Sequence, residues 1–457
     1  MDAQLGENSE GRAVKALNNV PDSLGGPEYS APPLRNGSLF SNFFLCEDGL
    51  DGFSRLAGFL SLLSCWEIFK RLNYLSEEYQ VETWWWNQQC LSLPDSQVLA
   101  VCLLCLCALG SLAMLFGSRG KLPPLVVAAC IVYITSLDNQ IAFSHSLFLN
   151  IWVCIALLFR REGLSASRRL IQLALFACYF LSALQKILTP QFISGQTLEA
   201  LKFGKSLQPW AFNFLSQVPA GPEFWKYSSI VVAAVELLMA LGLCHRKTQK
   251  LAVAGIIVFQ LMIFATMDPF IAPLHLTIFV CCLSFFNPHS IEKRFGLLRR
   301  ILAERSESTV AGVEAPGLLY RVLAVGAAAI FMAIPLRIYF YPDSFERMSF
   351  MDRRPWTFCM FVLLEGRYQT SIVLKRQDGN LVWVKPRGRM AFLSSDTEMY
   401  ALARYLEKTT PGVRELKIES HYCVNLHSRD HKVLTAQIDA EGNFAHHIAW
   451  HREAIRN

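Results

Sequence analysis

Long apolar runs constrain this chain more than any other feature. They fill residues 55–340, whereas both ends are polar. A hydrocarbon core about 30 Å thick needs roughly 20 helical residues to cross it, and irregular backbone does not face lipid. Since 53% of the residues are hydrophobic and only 18% are charged, the composition is apolar for a soluble protein. The sequence therefore predicts an α-helical integral membrane protein whose partner is membrane lipid.

We predict nine transmembrane helices, which divide the chain into three parts. They lie at about 54–72, 98–116, 122–137, 143–159, 170–188, 227–244, 250–267, 270–286 and 319–340. Residues 1–50 lack the apolar segment of a signal peptide, and their Gly, Pro, Ser and Asn content predicts a disordered cytosolic tail. Residues 51–341 form the predicted transmembrane domain, and 342–457 a small separate domain.

Basic residues predict how the nine helices are oriented. Four loops carry them: Arg119 and Lys121; Arg160, Arg161, Arg168 and Arg169; Arg246, Lys247 and Lys250; and Lys293, Arg294, Arg299, Arg300 and Arg305. All four would lie on one side of the membrane, and cytosolic loops are the basic ones. We therefore predict a cytosolic N-terminus and a lumenal or extracellular C-terminus, in the endoplasmic reticulum of a eukaryote. The net charge of +6 then reflects topology, and we predict no nucleic-acid partner.

Most of the 14 cysteines lie within apolar runs, where thiols act as small apolar groups. Cys90 and Cys423 fall on the predicted oxidising side and could form a disulfide, although Cys359 could compete for either. No cysteine or histidine spacing resembles a metal site, so we predict no metal. His446, His447 and His451 are interpreted as a solvated polar end.

The C-terminal part predicts an α+β domain. Two β-rich segments flank Asp378-Gly379, a dipeptide typical of tight hairpins. A helix from about Asp396 to Lys408 follows a capping box of Ser395 and Glu398 and ends before Pro411-Gly412. Its predicted buried face consists of Met399, Leu402, Ala403 and Leu406. Further strands are expected in "VRELKIES" with "YCVNL" and in "HKVLTAQID".

A lysine close to the end of the fifth apolar run, Lys186, has two interpretations. Its stem could cross apolar surface and carry the ammonium to the membrane interface. Alternatively, Lys186 lies in a pocket of low dielectric, where burial disfavours its charged form and leaves a neutral amine to act as a base.

Other polar groups are predicted near the same membrane face. His145 begins the fourth run, and as a single residue it could equally be a hydrogen-bonded core histidine. Glu236 lies in the middle of a span, where a carboxylate must be neutral or paired. With Gln260 and Asn139, these groups predict a polar cavity among the helices.

These residues also carry a resemblance. "YFLSALQKILTPQFISG" (Tyr179 to Gly195) resembles a segment of the vitamin K-dependent γ-glutamyl carboxylases, and Lys186 aligns with the catalytic base of that family. "LDNQIAFSHSLFLN" (Leu137 to Asn150) is similar to the stretch that contains its important histidine, here His145. Glu236 falls on an acidic position of the following span. "RPWTFCMFVL" and "YCVNLHSRDHKVLTAQID" resemble two segments of its lumenal part.

The similarity extends in order from about residue 50 to 445 and fits the broader horizontally transferred transmembrane family. It implies an enzyme in which Lys186 deprotonates a reduced vitamin K-type quinone and His145 supports the oxyanion. Oxygenation then yields a strong base, which removes a γ-proton from a protein glutamate, and CO2 traps the carbanion. Asn139, Glu236 and Gln260 would bind the substrate. Gln260 stands where the family has a histidine.

Two alternatives remain open at this point. The chain has only a short counterpart of the long lumenal region of the carboxylases, which favours an enzyme that modifies a quinone or another lipid without carboxylating a peptide. A non-catalytic membrane protein, such as a transporter or assembly factor, would use the cavity only for binding. For a transporter we see no inverted repeat or broken helix pair in the sequence.

Overall fold

The computed structural model describes most of the helical core and of the C-terminal domain. The described residues are 46–47, 51–72, 97–118, 120–137, 145–161, 164–201, 207–217, 221–267, 272–286, 317–336, 365–391, 393, 396–424, 428–438 and 444–454. Within them the N-terminal part is helical: α1 Asp51–Phe69, α2 Gln97–Leu115, α3 Leu122–Leu137, α4 His145–Leu158, α5 Ser167–Leu188, α6 Pro190–Ile193, α7 Gln196–Leu201, α8 Pro209–Gln217, α9 Pro222–Cys244, α10 Arg246–Thr266, α11 Ala272–Leu283 and α12 Leu318–Leu336. Two short strands, β1 (Cys46–Glu47) and β2 (Leu164–Ser165), pair with each other in antiparallel fashion.

Each of the nine predicted apolar runs contains one of these helices. By length and hydropathy, five of the described helices are candidates to cross a membrane, namely α2, α5, α9, α10 and α12. Helices α3, α4 and α11 are apolar but shorter. The structure thus confirms a mostly helical, membrane-type architecture, and the nine-span count remains a prediction.

Helix α5 is the most enclosed of the five candidate spans. In the most apolar 18-residue stretch of α5, 72% of the residues are buried, compared with 22–33% in the corresponding stretches of the other four candidate spans. It packs against α4, α9, α11 and α12. An exposed apolar face suits a helix next to lipid, whereas a helix surrounded by protein can carry polar side chains. Helix α5 is therefore the element best suited to hold a buried functional group.

Polar contacts fix one end of α5 to its neighbours. The guanidinium of Arg168 donates to the carbonyl oxygens of Ser284 and Phe286, which follow the last turn of α11. Such carbonyls lack helical partners, and a cation there also suits the helix dipole. Nearby, the hydroxyl of Tyr320 on α12 accepts from the backbone N–H of Ala166 and donates to the carbonyl of Phe159. These contacts join α11, α12 and the α4–α5 connection.

The C-terminal part contains a five-stranded antiparallel sheet. Its strands are β3 Glu365–Arg376, β4 Leu381–Val384, β5 Val413–Val424, β6 Ser428–Ile438 and β7 Phe444–Ala454, in the spatial order β4-β3-β5-β6-β7. The predicted hairpin at Asp378-Gly379 is confirmed, since β3 pairs with β4 around it and Gly379 has φ +83°. That conformation is accessible to glycine at little cost, which explains the dipeptide.

A helix, α13 (Asp396–Thr409), packs on one face of the sheet, as predicted. Its buried side chains are Met399, Leu402, Ala403 and Leu406. They meet the inward-facing residues of β5 and β6, such as Ile418 and Leu434. The side chain of Lys432 is fully buried and its Nζ lies 2.6 Å from Oδ1 of Asp396, at the start of α13. This ion pair links the helix N-terminus to β6.

The last strand is not among the predicted elements. Strand β7 contains His446, His447 and His451 and pairs along its whole length with β6. The three histidine side chains are exposed, in agreement with a solvated polar end. His446 contacts the ring of Tyr400 on α13, with centroids 4.7 Å apart. In "FAHHIAWHREA", His446 stands between Phe444 and Ile448, which pack against the core, and so interrupts the apolar alternation typical of a strand.

Three histidines form a row on the open face of the sheet. The register pairs His421 of β5 with His431 of β6, and His431 with His451 of β7. The rings of His421 and His431 are stacked, with centroids 4.0 Å apart. Partial burial and the neighbouring His421, Lys417 and His451 lower the pKa of His431, whereas Glu419 acts in the opposite direction. A second positive charge is therefore disfavoured in this row.

We expect Gly195→Ala to destabilise the helical core. Gly195 has φ +89°, and an added Cβ would overlap the backbone of Trp225 and Lys226. The backbone conformation alone costs about 1–2 kcal/mol for an L-residue. Gly379→Ala is the matched control, because it shares the positive φ but has open space. Denaturant unfolding should show the larger loss for Gly195→Ala, and an equal loss would contradict the close contact.

We also expect the sheet to lose stability in mild acid because of His431. Folding lowers the pKa of His431 below its usual 6.5, so the unfolded chain binds more protons below that value. Stability should fall from about pH 7.5 to about pH 5.5, and His431→Gln should flatten this dependence. Proteolysis of the sheet in urea would measure it, with the exposed His447→Gln as control. A dependence that His431→Gln leaves unchanged would exclude His431 as its source.

Candidate functional site

A buried ion pair lies between α5 and α9. The Nζ atom of Lys186 is 2.6 Å from each carboxylate oxygen of Glu236, and both side chains are 4% exposed. Ser182 completes the cluster, because its hydroxyl accepts from Lys186 at 2.9 Å and donates to Glu236 at 3.0 Å. Every polar atom of the carboxylate and the ammonium therefore has a partner within reach.

Helix geometry explains why these residues meet. Ser182 and Lys186 are four residues apart and lie on the same face of α5. Glu236 lies on the buried stripe of α9, which also includes Trp225, Ser229 and Ala233. Among the helices that pack against α5, α9 makes the most extensive contact. The ion pair is therefore held between two long helices. A site on rigid helices keeps its geometry better than one on loops.

An aromatic ring, that of Phe192, lies next to the ammonium of Lys186. The ring centroid of Phe192, which lies on α6, is 5.7 Å from Nζ of Lys186, within the range of a cation–π contact. Phe192 is itself buried. The close packing of Gly195 on Trp225 holds the α6 segment against α9. The ammonium is therefore enclosed by an aromatic face, a hydroxyl and a carboxylate.

The placement of Lys186 bears on its two interpretations. A snorkelling lysine would extend its ammonium away from apolar surface, but Lys186 is 3% exposed and points to a carboxylate on the neighbouring helix. The structure therefore contradicts snorkelling and agrees with a buried lysine. That Lys186 acts as a base stays a prediction.

A second hydrogen-bonded set continues along the same face of α5. The amide Nε2 of Gln260, on α10, donates to the hydroxyl of Tyr179 at 2.6 Å. The amide oxygen of Gln260 also contacts Nδ1 of His275, on α11. Tyr179, Ser182 and Lys186 are spaced i, i+3 and i+7 and so share a stripe of α5. Gln260, predicted to bind substrate, is thus part of a chain from α5 to α11.

His145 lies beside a third polar set, between α1 and α4. Its neighbour Ser146 donates to Glu67 at 2.6 Å, and Glu67 accepts from Arg71 at 3.1 Å. One turn further along α4, Asn150 donates to Ser64 at 3.0 Å. His145 is 7% exposed. His145 is thus buried at the start of α4, a helix that packs against α1.

Two predictions fall outside the described residues. Asn139 lies in 138–144, which are not described, so its contact with substrate stays a prediction. Cys90 lies in 73–96, also not described, while Cys423 belongs to β5. The Cys90–Cys423 disulfide therefore stays a prediction as well.

Sequence reasoning missed Glu67, Arg71 and His275. Glu67 and Arg71 have the i, i+4 spacing of a helical ion pair. This spacing, near the end of an apolar run, could have predicted the pair. His275 is a single histidine in "APLHLTIFVCC", a run otherwise without charge. Its contact with Gln260 arises only from packing of α10 on α11.

The Lys186–Glu236 pair has the groups needed for proton transfer, because Nζ and both carboxylate oxygens lie at hydrogen-bond distance. An ammonium–carboxylate pair has no net charge, and one added proton leaves a protonated carboxyl beside a free ammonium charge. The ammonium can then stabilise the anion that a bound molecule becomes when it gives up this proton. No group of three or more His, Cys, Asp or Glu side chains among the described residues has the arrangement of a metal site.

We expect single replacements in the pair to be far more costly than replacing both. Lys186→Met or Glu236→Leu leaves a buried partner without its counter-charge, which costs about 3–5 kcal/mol. The double variant removes both charges and should recover most of the loss. Denaturant unfolding of the four proteins gives the coupling energy. Additive losses would show that the two side chains do not interact.

Comparison with known proteins gives no match. No protein-family model matches the chain, no curated protein is similar to it, and no solved structure matches its fold. The similarity to the carboxylases therefore rests on the sequence segments given above. The candidate site is identified by geometry, because Lys186, Glu236 and Ser182 are buried and hydrogen-bonded to one another.

Proposed function

We propose that the protein is a carboxylase-like membrane enzyme that takes a proton from a reduced vitamin K-type quinone at the Lys186–Glu236 pair. The observation behind the proposal is that a buried lysine in α5, the most enclosed candidate span, meets a buried carboxylate of α9 at 2.6 Å. Ionisable residues inside membrane helices are costly and mark functional sites. The sequence resemblance to the carboxylases assigns the role of base to the same lysine.

Before it accepts a proton, the pair is a base that carries no net charge, and afterwards its ammonium charge faces the anion of the deprotonated substrate. Within the pair the proton can move from Nζ of Lys186 to Glu236, which leaves an amine able to accept a proton from a hydroxyl group. The net result is one proton gained by the pair, with an ammonium beside a neutral carboxyl. Ser182 bridges the two groups and can keep them in register while the proton moves.

A hydroquinone suits buried polar atoms of α5 and α9. The side-chain amide of Gln185 and the hydroxyl of Ser229 are buried and have no hydrogen-bond partner within the described part of the chain. Phe192 offers an aromatic face next to Nζ of Lys186. When bound, a vitamin K-type hydroquinone would supply, with O2, the strong base required to remove a γ-proton from a protein glutamate, which CO2 then carboxylates.

The second candidate function is modification of a quinone or another lipid without carboxylation. The observation that favours this function is that the arrangement of the described residues supports only the step of proton acceptance. That step is common to both reactions. The third alternative, a protein that only binds a ligand, would use the pair as a structural element.

We expect Lys186→Arg to abolish turnover, because arginine keeps its proton at any accessible pH. The proposed activity is measured with purified protein, reduced vitamin K, labelled CO2 and a glutamate peptide, following both quinone oxidation and carboxylation. Lys186→Ala should also be inactive, and small amines from solution should restore part of its activity. His145→Ala should lower turnover without unfolding the protein if His145 supports negative charge.

The control is Lys247→Arg, since Lys247 is exposed at the start of α10 and should keep wild-type rates. Quinone oxidation without carboxylation would favour the second candidate function. Full activity of Lys186→Arg would contradict the assignment of Lys186 as base. Binding without turnover in the wild type would favour the third.

A further inference from the structure

Helix α8 exposes three aromatic side chains although it is too short to cross a membrane. The exposed fractions are 56% for Trp210, 41% for Phe212 and 62% for Phe214. Its nine residues rise only about 14 Å along the helix axis, whereas a hydrocarbon core is about 30 Å thick. Large apolar side chains that are exposed side by side mark a surface that contacts a partner or a membrane. We call these three side chains the aromatic face of α8.

Polar contacts fix the start of α8 to the end of α10. The backbone N–H of Gln208 donates to the carbonyl of Thr266 at 2.9 Å, and its side-chain amide donates to the carbonyl of Met267 at 3.1 Å. The indole N–H of Trp210 donates to the carbonyl of Ala265 at 2.9 Å. Carbonyls in the last turn of a helix have no partner within that helix. Protein groups therefore satisfy the end of α10, as is required where water is scarce.

The aromatic face of α8 continues the exposed surfaces of two candidate spans, α9 and α10. A single residue connects these helices, and Gly242 approaches Ala252 across that connection, so the start of α9 and the end of α10 lie at the same end of a helical hairpin. The exposed large side chains at this end are aromatic, namely Phe224, Tyr227 and Phe264. Further along α9 they are aliphatic, as at Val231 and Leu238. Such a change from aromatic to aliphatic marks the level of a membrane interface.

We infer that α8 lies in the membrane interface and that its aromatic face binds phospholipid. Helix α8, "PWAFNFLSQ", contains no charged residue, so the contact requires no anionic headgroup. The ring of Trp210 reaches the lipid while its N–H stays bound to α10, which suits an amphipathic indole at this level. Lipid contact at α8 thus holds the end of α10 at the membrane surface. The inference uses no part of the Lys186–Glu236 pair and stands apart from the proposed function.

Quenching of tryptophan fluorescence locates Trp210 relative to the bilayer. Full-length protein is placed in nanodiscs of phosphatidylcholine that carries bromine either close to the headgroup or deep in the acyl chain, and aqueous iodide probes exposure to water. The contribution of Trp210 is the difference between the wild type and Trp210→Phe, which keeps an aromatic side chain. We expect this contribution to be lost most with the shallow bromine, less with the deep bromine and least with iodide.

A buried tryptophan near the same end of the hairpin provides the matched control. Trp225, on the first turn of α9, is 5% exposed, so its contribution, obtained with Trp225→Phe, should respond less to every quencher than that of Trp210. Loss of the Trp210 contribution mainly with iodide would show a face in contact with water, open to a protein partner, and would overturn the inference. Loss mainly with the deep bromine would place α8 in the hydrocarbon core and would overturn it as well.

Amide hydrogen exchange of α8 in the same nanodiscs, without bromine, measures how far lipid contact stabilises the helix. Serine and phenylalanine have similar helix propensities, so Phe214→Ser would change little if Phe214 faced water. With Phe214 in lipid, Phe214→Ser should speed the exchange of residues 209–217 about tenfold, because an apolar contact is lost. Phe214→Tyr should stay within about twofold of the wild type, since tyrosine also suits the interface.

The lipid composition tests the uncharged character of the contact. Adding phosphatidylglycerol to the nanodiscs, or raising the salt concentration, should leave the exchange of residues 209–217 unchanged, because no charge of α8 takes part. Protection that requires phosphatidylglycerol would contradict the inferred contact. Equal exchange in Phe214→Ser and the wild type would overturn the inference, whatever the outcome for turnover at Lys186.

Discussion

The contact between Lys186 and Glu236 is the interaction on which the rest of the helical core depends. Each charge alone would be costly among apolar helices, and their mutual contact through both carboxylate oxygens offsets that cost. The pair requires two helices to stay in one relative position, because hydrogen bonds weaken steeply with distance and angle. Helices α5 and α9 satisfy this by close packing, which includes the approach of Gly195 to the backbone of Trp225.

The central position of α5 follows from the same requirement. It is enclosed by neighbours to a much greater extent than the other candidate spans. Its polar stripe of Tyr179, Ser182 and Lys186 contacts a different helix at each level, with Gln260 of α10 on Tyr179 and Glu236 of α9 on Lys186. At the opposite end, Arg168 fixes α5 to the last carbonyls of α11. One helix thus joins the polar contacts of α9, α10 and α11.

The C-terminal sheet follows different rules. Its core is a single apolar layer between α13 and the inner face of β3, β5 and β6. Its open face carries polar side chains, among them the histidine row on β5, β6 and β7. A hairpin turn and an amphipathic helix are local features, so short-range patterns sufficed to predict β3, β4 and α13; the predicted cap residue Ser395 lies outside the described residues. Strand β7 was missed because His446 interrupts the apolar positions Phe444 and Ile448.

The sequence by itself determined the apolar helices, the α+β character of the end of the chain and the position of Lys186 close to the end of an apolar run. These follow from local composition and periodicity, which require no knowledge of neighbours. Only the tertiary structure decided that Lys186 pairs with Glu236 and that His275 meets Gln260. These facts depend on which faces of α5, α9, α10 and α11 meet. A sequence gives each helix its polar residues, but the packing of one helix on another chooses their partners.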